Sequence, residues 1–451
     1  MRFFNIMATR VGMVSLGCPK NQVDAEHMLF DLKAEGFELV SDAALADVVI
    51  VNTCGFIADA KQEAIDTTLE FLQLKAEGRI KAVIMTGCLA ERYREQIMQE
   101  MPELDGVVGL GSNDKLVEII RDIYSDHEPV ESFGCNEELK MEGGRIISTE
   151  PFYAYLKIAE GCSNFCTYCA IPSIRGKYRS RKIEDIIDEA KWLAENGVTE
   201  LVVIAQDTTR YGEDNYGKPM LPELLRQLCR IDGLKWIRTL YSYPERLSDE
   251  LIEVVASEDK LVKYFDIPIQ HCNSDILKRM NRQGDEQTLT ELLKKIRARI
   301  PGVILRTTLI AGFPGETDEQ FEQLCGFVKK TRFDRLGAFA YSPEEDTPAA
   351  GFDGQIDEDV KQKRLETIYS EQSFIMDEKN SSLVGKSFEV VCEGFDRYAE
   401  MYFGRSYMDA PEIDGKIFFI SKRKLSVGEY VNVKITDILD FDPIGEVTDK
   451  T

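Results

Sequence analysis

The chain has 451 residues, of which 43% are hydrophobic and 30% are charged, a balance typical of a globular protein and not of a disordered, collagen-like or membrane-bundle chain. Its length suggests about three domains at about 150 residues each. No run reaches the ~18–20 apolar residues that span a bilayer. Residues 1–17 lack the long apolar core of a signal peptide, so the sequence predicts a cytoplasmic protein without a membrane partner.

Acidic residues outnumber basic ones, with 79 Asp and Glu against 55 Lys and Arg, for a net charge of −24. Such a surface repels nucleic-acid phosphates and attracts a basic partner, so we do not expect a DNA partner. The 11 cysteines are an odd number, which argues against a disulfide framework in a reducing compartment. Clustered thiols are then candidate metal ligands.

The first predicted domain, residues 10–124, alternates strands with helices. Strands are predicted at 11–16, 47–51, 81–85 and 106–109, and helices at 22–35, 61–76, 93–100 and 115–123. This alternation predicts a doubly wound parallel α/β domain. Residues 125–150 are charged and contain three glycines, so we interpret them as a linker.

The second predicted domain, residues 151–381, repeats the alternation six times. Strands are predicted at 152–158, 201–205, 236–241, 264–269, 303–310 and 336–340, and helices at 183–195, 221–229, 249–257, 286–297, 319–331 and 358–379. Six such units predict a partial or full (β/α) barrel.

The third predicted domain, residues 382–451, has short alternating strands and no helical period. The strands are predicted at 387–392, 400–403, 416–420, 430–435 and 444–448. Five short strands in about 70 residues are typical of a small antiparallel β-barrel of the OB kind.

Three cysteines follow the first predicted barrel strand within eight residues: Cys162, Cys166 and Cys169. Three thiolates on one loop reach three irons of a 4Fe–4S cube and leave the fourth iron open. An open metal position binds a small molecule. Zinc is the structural alternative, although it would require a fourth ligand that the loop does not supply, and thiols clustered by chance are the remaining alternative.

A second set of three cysteines is spread over the first domain. Cys18, Cys54 and Cys88 each follow a predicted strand, about one βα unit apart, and each adjoins a glycine. Strands of one parallel sheet present their carboxyl ends along one edge, so the three thiols are expected to converge on a second cluster. The alternative is three unrelated buried cysteines.

Polar and glycine-rich segments follow the other barrel strands, where barrel enzymes place their sites. Gln206 follows the second strand, and His271 follows the fourth. Gly312 follows the fifth, where a glycine lets the backbone approach a ligand closely.

The second domain resembles the radical S-adenosylmethionine (SAM) enzymes. The resemblance depends on Cys162, Cys166 and Cys169, with aromatic Tyr168 before the last cysteine. It implies that SAM chelates the open iron and is split by one electron into methionine and a 5′-deoxyadenosyl radical. Tyr168 would lie near the adenine, and we assign Gln206 and Gly312 to SAM binding as well.

The whole chain resembles the radical SAM methylthiotransferases, with a TRAM-type barrel as its last domain. The motifs are Cys-Pro-Lys-Asn-Gln from Cys18 with Asp24, the three-cysteine loop, and Ile-Arg-Gly-Lys-Tyr-Arg-Ser-Arg from Ile174. The resemblance implies two 4Fe–4S clusters and two SAM molecules per turnover. It also implies an electron donor such as flavodoxin or ferredoxin, and a sulfur donor. It assigns no catalytic side chain.

One branch of this family modifies tRNA adenosines, and another modifies the β-carbon of an aspartate in ribosomal protein S-twelve of the small subunit. Residues 15–24 and 404–415 resemble the protein-modifying branch. The tRNA branch usually has an aromatic residue near Ser15 or Leu16, and Gln-Met after the first cysteine. From Lys386 to Lys450 there are nine basic and thirteen acidic residues, which favours a basic protein over RNA.

Two other functions remain open at this point. One is a tRNA adenosine methylthiotransferase, and the other is an iron–sulfur electron carrier or RNA-binding adaptor without radical chemistry. Some residues also stay ambiguous. The basic run Arg175, Lys177, Arg179 and Arg181 either faces an anionic ligand or is solvated, and His271 is either a ligand contact or structural. Five cysteines match no spacing and are interpreted as spectators: Cys135, Cys229, Cys272, Cys325 and Cys392.

Overall fold

The structure is a computed structural model that describes residues 9–126 and 128–448. Three parts of the chain lie outside the described residues: 1–8, within the stretch predicted to lack a signal-peptide core, His127 in the predicted linker, and 449–451. None of the described helices is both long enough and apolar enough to cross a membrane.

The first lobe is a six-stranded parallel sheet in the order β2-β1-β3-β4-β5-β6. Its strands are β1 (Arg10–Ser15), β2 (Glu38–Val40), β3 (Val48–Thr53), β4 (Ala82–Gly87), β5 (Gly106–Val108) and β6 (Val130–Ser132). Its helices are α1 (Pro19–Ala34), α2 (Ala58–Ala76), α3 (Cys88–Tyr93), α4 (Glu95–Glu100) and α5 (Leu116–Asp126). The predicted parallel α/β domain is confirmed. Strand β6 pairs with β5, so the sheet extends into the stretch that the sequence predicts as a linker.

The helix predicted at 93–100 is wrong in its bounds, because two short helices occupy this region. Arg94 separates α3 from α4 with a φ of 42°, a left-handed conformation that ends the α3 hydrogen-bond ladder. Helix α3 therefore begins earlier than predicted, directly at Cys88.

The second lobe holds all six predicted barrel strands. Its strands are β7 (Tyr153–Lys157), β8 (Ala159–Glu160), β9 (Arg179–Ser180), β10 (Glu200–Ile204), β11 (Trp236–Thr239), β12 (Tyr264–Gln270), β13 (Ile304–Ala311) and β14 (Arg335–Ala340). Two parallel sheets, β11-β10-β7 and β12-β13-β14, meet at an isolated bridge between Ile237 of β11 and Leu261, which lies shortly before β12. The six strands therefore form a partial barrel.

The helices of the second lobe cover the outside of this barrel. They are α6 (Ile171–Arg175), α7 (Ile183–Glu195), α8 (Glu213–Tyr216), α9 (Leu221–Cys229), α10 (Asp249–Ser257), α11 (Ser274–Arg279), α12 (Glu286–Arg299), α13 (Asp318–Thr331) and α14 (Glu358–Ser381). Their apolar faces and the outward side chains of the strands form the largest hydrophobic core.

The third lobe is the predicted small barrel, closed in the order β15-β16-β17-β19-β18. Its strands are β15 (Ser387–Asp396), β16 (Met401–Arg405), β17 (Ile417–Ile420), β18 (Tyr430–Leu439) and β19 (Asp442–Val447). One pairing, β17 with β19, is parallel, where the sequence predicts antiparallel strands throughout. The reason is that β18 does not lie beside β17 but pairs antiparallel with β15. Strand β19 then reverses direction relative to β18 and lies alongside β17 in the same direction.

The loop between β16 and β17 closes the base of the partial barrel. Glu412 accepts hydrogen bonds from the hydroxyls of Tyr153 at 2.9 Å and Tyr155 at 3.2 Å. Asp414 accepts one from Tyr264 at 2.6 Å. Since these tyrosines lie at the amino ends of β7 and β12, the opposite end of the barrel, which carries the cysteine loop, is the end left for a ligand.

Candidate active site

The three-cysteine loop follows β8 at the carboxyl end of the barrel. Cys162 and Cys166 are buried and Cys169 is half-buried, and all three are free thiols. Burial raises the pKa of the Cys162 thiol to about 11. Burial and the neighbouring Cys166 also raise the pKa of Cys169. The sulfur of Cys166 lies 3.4 Å from the hydroxyl of Tyr243. Since Cys166 adds to the rise in the pKa of both Cys162 and Cys169, the three thiols share one small, largely buried region.

The structure also brings together the three cysteines of the first lobe. Cys18 is the residue before α1, Cys54 follows β3 and Cys88 begins α3. Strands β1, β3 and β4 are neighbours, so their carboxyl ends meet. A Cβ on Gly17, whose φ is +89°, would lie 2.9 Å from the Cys54 sulfur; only glycine fits there.

Electrostatics within this second set confirm the proximity. Burial raises the pKa of Cys88 to about 12, against the opposing effect of the Arg175 guanidinium beside it, while Cys18 and Cys54 raise it further. The pKa of Cys54 is raised by burial and by Cys18. A bound cation would favour the thiolate forms of thiols that raise one another's pKa in this way.

The two sets face each other across the junction of the first and second lobes. Cys88 packs in one small apolar cluster with Leu110 of the first lobe and with Ala170 and Ile174 of the second. Ala170 is the residue directly after Cys169. The cysteines of the first lobe therefore lie against the segment that carries the cysteines of the barrel.

A buried charged network joins the lobes beside the thiols. The Arg175 Nη1 atom lies 3.0 Å from both Asp24 Oδ2 and Glu160 Oε2. Lys157 contacts Asp24 and lies 2.9 Å from Glu160 Oε2. All four side chains are at most 1% exposed. Two cations and two anions balance here, which is the condition for keeping charges out of water.

Sequence reasoning singled out Asp24 and Arg175 and missed Lys157 and Glu160. The available signal was that both interrupt an otherwise apolar strand just before Gly161 and Cys162, since charged residues are rarely buried without a partner.

Among residues 9–126 and 128–448, no three His, Cys, Asp or Glu side chains are placed to hold a single metal ion. A tetrahedral zinc site draws its ligands around one atom, whereas an iron–sulfur cube binds each thiolate at a different iron.

Three family descriptions match the chain in succession. Residues 10–109 match the Uncharacterized protein family UPF0004, residues 156–328 match the Radical SAM superfamily, and residues 384–448 match the TRAM domain.

The chain is also similar to curated relatives over nearly its full length. The Clostridioides difficile protein named ribosomal protein uS12 methylthiotransferase RimO is 51% identical over 97% of this chain and 98% of its own length. The Clostridium tetani protein of the same name is 49% identical over 98% of this chain and 99% of its own. The chain belongs to the RimO family of radical SAM methylthiotransferases. The predicted family and its enzyme class are thereby confirmed.

Solved structures support the fold of this RimO-family enzyme. The radical SAM methyltransferase TsrM from Kitasatospora setae, with cobalamin and a 4Fe–4S cluster bound, aligns with a TM-score of 0.58 at 14% identity, over 76% of this chain and 77% of its own. Apo OxsB, a cobalamin-dependent radical SAM enzyme, aligns with a TM-score of 0.53 at 12% identity, over 80% of this chain and 56% of its own. At such identities the likeness shows the fold alone.

As a radical SAM enzyme, the RimO-family chain uses a 4Fe–4S cluster and SAM. Of the predicted SAM residues, Gln206 has a buried atom that is unpartnered within the described residues, and Tyr168 is packed among apolar side chains. Gln206 donates from Nε2 to Glu160 at 2.8 Å, and its buried Oε1 has no hydrogen-bond partner within the described chain. Tyr168 packs against the apolar cluster that contains Phe313 and Tyr341. Burial and the Cys166 thiol hold the pKa of Tyr168 well above its usual range.

Gly312 has a local reason to be glycine. Its φ is +74°, and a Cβ there would lie 2.5 Å from the side chain of Lys361 on α14. Its N–H donates to Glu316 at 3.0 Å. The close approach at this turn is therefore made by α14, and a SAM contact at Gly312 stays a prediction.

The ambiguous residues separate by burial. Arg175 and Arg181 are buried and ion-paired, Arg179 is half-buried and donates to the Asn136 carbonyl at 3.0 Å, and Lys177 is exposed. His271 is fully buried, and its Nδ1 accepts the N–H of Asn273 at 2.9 Å. Its Nε2 lies 3.6 Å from Glu316 and has no hydrogen-bond partner within the described chain. The five cysteines interpreted as spectators are free thiols.

Proposed function

We propose that this enzyme methylthiolates the β-carbon of an aspartate in ribosomal protein uS12, the small-subunit protein S-twelve, using two SAM molecules per turnover. The names of its full-length relatives support this substrate. The observation that carries the proposal is the pair of three-thiol sets that face each other where the first lobe meets the barrel.

Cys162, Cys166 and Cys169 hold the radical SAM cluster, and Cys18, Cys54 and Cys88 hold a second 4Fe–4S cluster. Together the clusters and SAM supply the radical that opens a C–H bond and the sulfur that replaces its hydrogen. The chain supplies what surrounds them. The burial of the thiols keeps water away from them. Arg175 places a cation beside Cys88, which offsets the negative charge of the Cys88 thiolate. Tyr168, Gln206 and Gly312 are assigned to SAM.

The charge of the chain supports the choice of substrate. With a net charge of −24, the enzyme suits a basic ribosomal protein in the cytoplasm better than a phosphate backbone. A flavodoxin or ferredoxin supplies electrons, and a separate sulfur donor renews the sulfur. We also keep the domain division 10–124, 151–381 and 382–451, with a linker at 125–150, as a proposal.

The test is to incubate the reduced, reconstituted enzyme with SAM, a sulfide source and either uS12 or tRNA, and to analyse both by mass spectrometry. We expect a methylthio group on uS12 alone; modification of tRNA alone would refute the proposal. Formation of 5′-deoxyadenosine should disappear in Cys166→Ala and persist in the control Cys325→Ala, which removes a half-buried thiol on the outer helix α13.

A further inference from the structure

Lys20 is a buried cation at the meeting point of the two lobes. It lies in the first turn of α1, two residues after Cys18, and is only 7% exposed. Its Nζ lies 3.3 Å from the centre of the Tyr241 ring. Tyr241 follows β11 at the carboxyl end of the barrel, so this ammonium lies above the barrel opening.

Within residues 9–126 and 128–448, the ammonium of Lys20 has no acid partner. None of the carboxylates in the described part of the chain lies within ion-pair distance of Nζ. The acid nearest along the Tyr241 backbone, Asp266, accepts the Tyr241 N–H at 2.9 Å and pairs with Arg306 at 2.7 Å. It is therefore already occupied.

This arrangement differs from that of the neighbouring cations. Lys157 and Arg175 are each matched with both Asp24 and Glu160. An ammonium has three hydrogen-bond donors. An aromatic face attracts the positive charge but does not supply acceptors for all three. Because an unpaired buried charge is costly, a cation left in this way at the opening of an active site is prepared for an anionic ligand.

We propose that Lys20 binds the side-chain carboxylate of the substrate aspartate. This inference rests on the proposed function and adds the residue that recognises the reacting side chain. Lys20 is adjacent in sequence to the thiol set that supplies sulfur and adjacent in space to the barrel opening that supplies the radical. The carboxylate is bonded directly to the β-carbon, so holding it at Nζ places that carbon between the two.

Tyr241 is the positioning residue for this contact. Its φ of 61° is unusual for a tyrosine, and its backbone is fixed by the Asp266 bond and by the Thr208 N–H that its carbonyl accepts at 3.1 Å. The ring is thereby held under the ammonium. Because the ammonium is held at a fixed position over the ring, it favours a short side chain that carries a carboxylate over a neutral side chain.

The test is a competition between two substrates in one reaction: uS12, and uS12 with its target aspartate replaced by asparagine. Mass spectrometry gives the ratio of their kcat/KM values for the wild type, for Lys20→Met and for Lys20→Arg. Loss of one partner of a buried charge pair costs at least about 2 kcal/mol, which is about 30-fold. We expect Lys20→Met to lose about 30-fold or more toward the aspartate substrate and to lose the preference for aspartate, and Lys20→Arg to keep most of that preference.

The iron content of Lys20→Met should equal that of the wild type, because Lys20 is not a cluster ligand. An equal loss toward both substrates, or loss of iron, would overturn the assignment and make Lys20 a structural or cluster-supporting residue. If the wild type modifies neither substrate, the proposed function itself fails, and this result is distinguishable from failure of the Lys20 assignment alone.

Discussion

Replacing Arg175 by Met tests how far the charged network couples the lobes. The substitution keeps most of the side-chain volume and removes a cation that lies 3.0 Å from Asp24 and 3.0 Å from Glu160. Lys157 then faces both carboxylates alone. Breaking a buried ion pair by removing one partner costs about 3–5 kcal/mol, and about 1.4 kcal/mol is tenfold. The equilibrium constant for the closed arrangement of the two lobes should therefore fall by more than about a hundredfold.

The assay follows two products separately. In Arg175→Met, we expect 5′-deoxyadenosine formation to continue, because the Arg175 side chain donates to Glu160 and Asn21 and not to the barrel cysteines, while methylthiolation falls by about a hundredfold. Amide exchange in α1 should become faster. Arg179→Met is the matched control, since Arg179 belongs to the same basic run but is half-buried and donates to a single carbonyl.

Wild-type methylthiolation and wild-type amide exchange in Arg175→Met would refute this reasoning. Loss of 5′-deoxyadenosine together with the methylthio product would also contradict it, because it would mean that Arg175 supports the barrel cluster.

Three further predictions concern other parts of the fold. Burial, followed by the charges of Lys157 and Arg145, lowers the pKa of His27 to about 4 in the folded chain, whereas in the unfolded chain it is about 6.5. Because the unfolded chain therefore binds the proton more tightly, the free energy of unfolding falls by up to about 3 kcal/mol as the pH drops from 6.5 to 4. Urea unfolding should show a flatter pH profile for His27→Gln. Glu344 pairs with Arg92 at 2.7 Å across the lobes, so Glu344→Gln should speed amide exchange in α3 and slow methylthiolation; unchanged exchange would refute this. Glu412→Gln weakens two hydrogen bonds at the barrel base and should lower the free energy of unfolding by about 1 kcal/mol, whereas the control Glu446→Gln, also at the surface but away from these tyrosines, should not.

Much of the fold could be predicted because its signals are local. Parallel strands buried on both faces form apolar runs, and β3 and β4, which are fully buried, are such runs. The positions of Cys18, Cys54 and Cys88 after predicted strands predicted their convergence, because the strands of a parallel sheet end along one edge. Strands β2 and β6 were missed because each has three residues, lies at a sheet edge and is at best half-buried.

The rest depended on contacts between distant residues. Lys157 meets Asp24 across 133 positions in sequence, and no local pattern shows that both are buried. Residues 404–415 resembled a branch-specific motif, but their observed contacts are with the barrel base, through Glu412 and Asp414. The unpaired ammonium of Lys20 likewise becomes visible only when Tyr241 is seen beneath it.

The most direct test of two facing clusters is the iron and acid-labile sulfide content of the anaerobically reconstituted chain, compared with a variant in which Cys18, Cys54 and Cys88 are all replaced by alanine. Two four-iron cubes predict about eight irons per chain for the wild type and about four for the variant, which should still form 5′-deoxyadenosine. About four irons in both proteins would contradict the second cluster, and with it the proposed insertion of sulfur.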